Sequence, residues 1–363
     1  MKKQLAVALS IAVTGAVQAG GVERTTQSVG ILFEVGRYAE FSIGSVSPTV
    51  SGTGINTTAT GIVSSGNMAS DYTSASLGYK QNIGNNFDVA LVIDQPNGAD
   101  VSYPTGTDYF YSGSTATLDS TALTGLMRYK FPTNVSLIGG LRLSSLGGNV
   151  SLPGRAIGAP PSVTYTLDVA QDQELGYVVG IAYEKPEIAL RTSLTYNSEL
   201  KHEFSDVKEM GGISLPFSTT LPKSVNLEFQ SGVAKDTLVF GSVRWVDWTV
   251  FDIKPFGLGG ASLVDFSDDR VTYNLGVGRK LNDDWSAAVS LGYESTKGGT
   301  SGNLAPTDGF KSVGVGVSYK MKKAKVTAGV RYVDIGDATT STIGSTFKDN
   351  KAVGVGLKVG YTF

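Results

Sequence analysis

The chain has 363 residues, with 30 basic and 32 acidic side chains and a formal charge of −2. No basic stripe of the kind nucleic acid requires is present, and the absence of cysteine removes disulfides and thiolate sites. Beyond the leader no run reaches the about 18 apolar residues that mark a membrane-spanning helix.

The chain opens on Met1-Lys2-Lys3, a basic start, followed by a mostly apolar stretch over 5–13 and small residues at Val17-Gln18-Ala19. These predict a secretory signal peptide over 1–19, removed before folding. A membrane helix needs about 20 apolar residues, and this run is shorter. The next segment, 20–36, contains Val29-Gly30-Ile31-Leu32-Phe33-Glu34 and is apolar for an exported tail. It is expected to fold back into an enclosed space as a short hatch, because an apolar tail in water is poorly solvated.

From residue 37 onward the pattern has a period of two. After a first strand at 37–45, six pairs of alternating segments follow: 74–81 with 87–94, 121–131 with 135–145, and 174–183 with 188–196. The remaining pairs are 225–232 with 238–248, 271–280 with 285–293, and 311–320 with 325–333. Gly, Asn, Asp or Pro occurs in most of the short turns inside the pairs. The last segment, 351–363, sets Val353, Val355, Leu357, Val359, Tyr361 and Phe363 on one face. Ala352, Gly354, Gly356, Lys358, Gly360 and Thr362 occupy the other. An apolar face opposite a small and polar one suits a strand between lipid and a wet lumen.

The prediction is an all-β fold, a transmembrane antiparallel β-barrel of 14 strands over 37–363 with a short luminal hatch at 20–36. Short turns and long connections alternate, placing both termini on the short-turn side, which faces the periplasm in bacterial barrels. Lipid does not hydrate an open sheet edge, so the first strand must pair with the last. Trp285, Tyr293, Tyr319, Tyr332, Tyr183 and Tyr361 are placed near strand ends as interfacial girdles. The inward parity collects Glu40, Lys80, Asp94, Arg128, Arg142, Glu174, Arg191, Glu228, Arg244, Glu294, Arg331 and Lys358. Charges so confined pair with one another or stay wet. Pro96 stands at the end of strand three, where it either terminates the strand or breaks the wall hydrogen bonding to open a side port.

Several stretches resemble the FadL-type long-chain fatty acid transporters, a family that includes toluene and xylene channels. Tyr196-Asn197-Ser198-Glu199-Leu200-Lys201 fits its Tyr-x-Ser-Glu-[Leu/Val]-Lys motif. Leu221-Pro222 and Trp248-Thr249-Val250-Phe251 resemble its Leu-Pro and Trp-[Ser/Thr]-x-Phe region. The resemblance runs through 30–363, although the family's Asn-Pro-Ala hatch motif is absent and the segment before the barrel is short. It implies an outer-membrane barrel of fourteen strands lying in outer-membrane lipid, expected to be a monomer; the ending on Phe363, with Tyr361 two before it, resembles that of outer-membrane barrels read by the barrel assembly machinery. It implies passive transport of hydrophobic compounds, fatty acids or aromatic hydrocarbons. The route would be an outer-loop groove, a pocket beside the hatch and a gap in strand three.

Long-chain fatty acids are the expected cargo. Burying a dozen methylenes is worth roughly 10 kcal/mol gross at about 0.8 per CH₂, so the path must be apolar yet allow release. Ile31, Leu32 and Phe33 of the hatch, with Leu152, Ile157, Leu215 and Phe217 of the loops, are the candidate apolar contacts. Arg155 and Lys201 in loops, or Arg142 and Arg244 in the lumen, could hold a carboxylate. No cofactor or metal is called for. The alternative is a diffusion pore for small polar solutes, and an incidental adhesin or phage receptor role suits any long-looped barrel. Catalysis has little support, since the single histidine, His202, is expected to be solvated in a charged loop.

Overall fold

The structure, a computed structural model, describes residues 21–57, 61–160, 162–212 and 215–363. The expected signal peptide at 1–19 lies outside the described residues. Fourteen long strands carry the fold. The first four are β1 Tyr38–Thr49, β2 Tyr72–Ile83, β3 Phe87–Asp94 and β4 Thr115–Lys130. β5 Val135–Pro153, β6 Thr164–Lys185, β7 Leu190–Asn197 and β8 Ser224–Ala234 follow. The next three are β9 Thr237–Val246, β10 Arg270–Lys280 and β11 Trp285–Glu294. β12 Phe310–Met321, β13 Ala324–Ile335 and β14 Asn350–Thr362 complete the set.

Each strand pairs antiparallel with its sequence neighbours, and β14 returns to β1 from Tyr38↔Thr362 to Thr49↔Lys351. The sheet is therefore a closed barrel without an edge, as the sequence pattern predicted. Gly84 (φ 61°) and Asp236 (φ 58°) take left-handed backbone in the tight turns, where glycine, and to a lesser degree aspartate, tolerate it.

Alternation produces two chemically different faces. On β6, Leu175 points out and is 63 % exposed, while Ala182 points in and is 2 % exposed. Leu141, Leu291, Val355 and Tyr361 are likewise exposed, and only a lipid solvent leaves such a belt unpenalised. Aromatic rings edge the belt at the short-turn end, with Trp285 against Tyr319 at 4.7 Å and Tyr361 against Phe363 at 5.0 Å.

β4, β5 and β6 are 16, 19 and 22 residues long, whereas about 9–11 suffice to cross a bilayer. Their excess rises past the belt, so the connection expected over 146–172 shortens to a turn after Pro153. Tyr103, Tyr109, Leu146, Tyr165, Val207, Trp248, Phe251 and Phe347 fill this long-loop end as an apolar core. The lumen below it is mostly polar.

Candidate functional site

The lumen is occupied by the chain's own N-terminal segment. Residues 21–36 contact inward side chains from β2 to β9, which places the segment inside the wall. At the short-turn end Lys80 on β2 donates to the carbonyls of Glu34 at 2.8 Å and Gly36 at 3.1 Å. A 3₁₀ turn at Gly30–Phe33 then buries Ile31 and Leu32, with Val29, against Ala90, Leu126, Ile138, Val178 and Ala182. Phe33 is half-buried between two guanidiniums, 4.5 Å from Arg128 and 4.7 Å from Arg191, a cation–π arrangement that holds the ring in place. Arg142 reaches Gln27 at 2.8 Å, Asn226 reaches the Thr26 carbonyl at 2.9 Å, and Thr25 donates to Asp94 at 2.8 Å. Glu23 pairs with Arg244 of β9, and Gly21 lies against Trp248.

The inward charges form two groups. Near the short turns, Asp88 is fully buried and receives Lys80 at 3.1 Å, Arg128 at 2.6 Å and Lys130 at 3.2 Å. Arg128 also meets Glu184 at 2.5 Å, and Lys358 meets Glu40 at 2.5 Å. Higher up, Arg244 is taken by Glu23 and Asn226, whereas the bonds of Arg142 go to the neutral oxygens of Thr124, Gln27 and Asn197. Arg142 and Arg244 share a cavity with Glu23, Gln27, Asn97 and Ser144, roofed by Leu200, Leu221, Pro222, Val246 and Trp248. Ser144 Oγ and one carboxylate oxygen of Glu23, Oε2, are buried there without a partner among the described residues. The cavity is thus polar below, with Arg142 beside the Glu23–Arg244 pair, and apolar above.

Strand three is broken beside this cavity into β3 and a continuation at Gly98–Ser102; against β4 the pairing passes from Asp94↔Ala122 to Gly98↔Asp119, one residue longer on strand three. β2 and β3 pair from Ile83↔Phe87 up to Leu77↔Ile93, and the same register resumes at Ala69↔Val101. Between those points the wall ladder opens. Ala75 N–H is accepted by the Gln95 side chain instead of a backbone carbonyl. On the other edge, the Pro96 carbonyl accepts Arg24 N–H at 2.7 Å and Gly98 N–H reaches the Val22 carbonyl at 2.8 Å. Asn97 exchanges two hydrogen bonds with the Ser120 hydroxyl of β4. Residues 22–25 therefore act as a substitute strand on the lumen side, and Pro96, buried, sits in the middle of the break.

The sequence candidates fall into three places. Ile31, Leu32 and Phe33 line the lower lumen, and Arg142 and Arg244 the cavity. Leu152 is buried in the long-loop core, with Ile157 packed against it. Phe217 packs against Phe204 with ring centres 5.2 Å apart. Arg155 bonds the Ser112 carbonyl at 3.2 Å. Lys201 is exposed and paired with Glu203 at 2.7 Å, and Leu215 is exposed, so neither is brought to the cavity. Asp88 went unremarked in the sequence although it shares the inward parity of Ala90 and Asp94. Glu23 carried no local signal, because its partner Arg244 lies far along the chain, and Trp248 stood out only as part of the Trp-Thr-x-Phe motif, not as a wall of this cavity.

His202 corrects an expectation. It is fully buried, not solvated, on the hairpin Leu200–Phe204 with Phe217–Leu221, with Nδ1 3.0 Å from Asp172 and its ring stacked on Phe204. Alternation along that hairpin, pairing it with Leu200 and Phe204, turns it inward. Burial pushes its pKa below the ordinary 6.5, against the opposing hydrogen bond and charge of Asp172.

A family model described as outer membrane protein transport protein (OMPP1/FadL/TodX) matches residues 33–363. Among solved structures, a Pseudomonas aeruginosa FadL homologue superposes with a TM-score of 0.75 at 14 % identity, covering 97 % of this chain and 98 % of that one. The Pseudomonas putida toluene transporter TodX gives 0.65 at 11 % identity, with 97 % of each chain covered. The Ralstonia pickettii toluene transporter TbuX gives 0.59 at 15 %, covering 92 % and 90 %. No curated protein matches the chain.

Proposed function

This chain belongs to the OMPP1/FadL/TodX family of outer-membrane transporters of hydrophobic compounds, and from that premise we propose long-chain fatty acids as its cargo. It is a transport channel of the bacterial outer membrane and not an enzyme. The cargo lands among the long loops, descends to the cavity under Leu200, Leu221 and Trp248, and leaves sideways through the break at Pro96. The reading is supported chiefly by the polarity of that cavity, with apolar side chains above and, below, Arg142, whose hydrogen bonds go to neutral oxygens while Glu23 is taken by Arg244. An amphiphile with one carboxylate matches both halves.

Physical chemistry favours the sideways exit over a straight one. Below the cavity the packing of Val29–Phe33 fills the lumen, and beyond it a tail would meet Arg128, Arg191 and the Asp88 cluster, losing about 0.8 kcal/mol of burial per methylene exposed there. Through the wall it passes from protein to lipid without crossing water. The segment 20–36 is the hatch in this scheme, and it also argues against a diffusion pore for polar solutes.

The test is uptake of labelled long-chain fatty acid, and separately of labelled toluene, by cells lacking their own outer-membrane transporter. Expression of this protein is expected to restore fatty acid uptake. Deleting Asn97, which removes the extra residue of strand three relative to β4, should return uptake to background while the barrel still inserts. Restoration of toluene uptake alone would replace the cargo by an aromatic hydrocarbon; uptake indifferent to the Asn97 deletion would remove the side exit.

A further inference from the structure

Arg24 occupies a position that the transport reading leaves unassigned. The register shared by Leu77↔Ile93 and Ala69↔Val101 would set Tyr72 of β2 directly against Gly98 of strand three, if the ladder were unbroken. The Arg24 side chain lies there instead. Its guanidinium carbon is 4.5 Å from the centre of the Tyr72 ring, on one edge of the break. Its terminal nitrogen pairs with Asp100 of strand three, at the upper margin of the break, where the Asp100 carbonyl already accepts Ser70 N–H at 3.1 Å. Its planar head lies so close over Gly98 that a β-carbon at that position would fall 2.3 Å from the guanidinium carbon. The side chain is almost entirely buried, and its own backbone is held by the Pro96 carbonyl.

We propose that Arg24 is the latch of the wall opening: one planar cation that ties Tyr72 of β2 to Asp100 at the upper margin of the break from inside and keeps the break shut between transport events. The assignment rests on the side-exit reading and adds to it a named positioning residue. A guanidinium suits the place because one face stacks on an aromatic ring while its rim donates to a carboxylate. A lysine ammonium would keep the attraction to Asp100 but lacks a flat face to lie between Tyr72 and Gly98. Gly98 follows from the same geometry, since any side chain there would displace the guanidinium. Releasing the latch requires moving only residues 22–25; the lower part of the segment, fixed by Lys80 and by the Val29–Phe33 packing, can stay in place.

The chain contains no cysteine, so a single introduced thiol reports on the opening. Ser74 on β2 borders the break, is 3 % exposed and has no hydrogen-bond partner for its hydroxyl among the described residues. Ser74→Cys in the full-length protein in lipid vesicles is to be reacted with a maleimide that partitions into the bilayer. The parent is expected to label slowly, Arg24→Gln and Tyr72→Ala at least tenfold faster, Arg24→Lys in between, and Tyr72→Phe like the parent because the ring face remains. Asp100→Asn, which leaves Arg24 intact, should also label faster and serves if Arg24→Gln fails to fold. Equal rates in Arg24→Gln or Asp100→Asn and the parent overturn the latch. The Asn97 deletion separates the two ideas: uptake surviving it refutes the side exit, whereas uptake lost by it with unchanged labelling in the Arg24 and Asp100 variants refutes the latch alone.

Discussion

Asp88 carries three cations on one carboxylate, and that ratio makes it the residue whose loss the lower lumen tolerates least. Lys80 is as buried as Asp88 itself, and Arg128 is nearly so. Removing one member of a buried pair leaves its partners charged and unmatched, which costs about 3–5 kcal/mol. Asp88→Asn should therefore lower the temperature at which the barrel unfolds, read as the loss of its folded form on gels after graded heating. No change on that assay would mean that water already screens the cluster. Alternation placed Arg128 and Lys80 in the lumen from sequence, and would have placed Asp88 beside them. The pairing of Glu23 with Arg244 was beyond such reasoning, since 221 positions separate them and only the route of the N-terminal segment joins them.

At the scale of elements, the hairpin Leu200–Phe204 with Phe217–Leu221 roofs the cavity and buries a titratable ring. The folded hairpin prefers neutral His202, because burial holds its pKa below the ordinary 6.5. Its contribution is therefore fully present above about pH 6.5 and is lost as pH falls through the depressed folded value. Asp172, bonded to Nδ1, and Glu174 nearby moderate the effect. Amide hydrogen exchange in 200–204, corrected for its intrinsic pH dependence, should lose protection between pH 7 and pH 5. In His202→Phe, which keeps the stack on Phe204, protection should be flat with pH; an equal decline there would place the sensitivity elsewhere. The break in strand three was half legible. Proline marks an interrupted ladder, but a strand end and an interruption within a strand look the same in sequence. Only the resumption of pairing at Ala69↔Val101 distinguishes them.

For the molecule as a whole, closure depends on β14 meeting β1, and Phe363 finishes that seam. Its N–H bonds the Arg37 carbonyl at 3.0 Å, and its ring lies 5.0 Å from Tyr361 and 6.4 Å from Tyr79. Those ring contacts are worth about 1 kcal/mol, too little to decide whether the finished barrel stands. Phe363→Ala should nonetheless reduce the amount of folded protein in the outer membrane several-fold while purified, refolded barrel unfolds within a few degrees of the parent. That contrast would assign the residue to recognition by the barrel assembly machinery; a large drop in unfolding temperature would assign it to the seam instead.

The sequence by itself determined the barrel, its fourteen strands, its inward charges and the membrane around it. Each of these follows from a two-residue period, and the period is a local property that the bilayer enforces along every strand. Tertiary structure alone decided which lumen side chains the segment 21–36 meets and how far the ladder of strand three is interrupted. The N-terminal segment takes the bonds that strand three gives up, and Arg24 stands between Tyr72 and Asp100. Those contacts join residues far apart in the chain, chosen by shape and charge inside the closed barrel, and no periodicity records them.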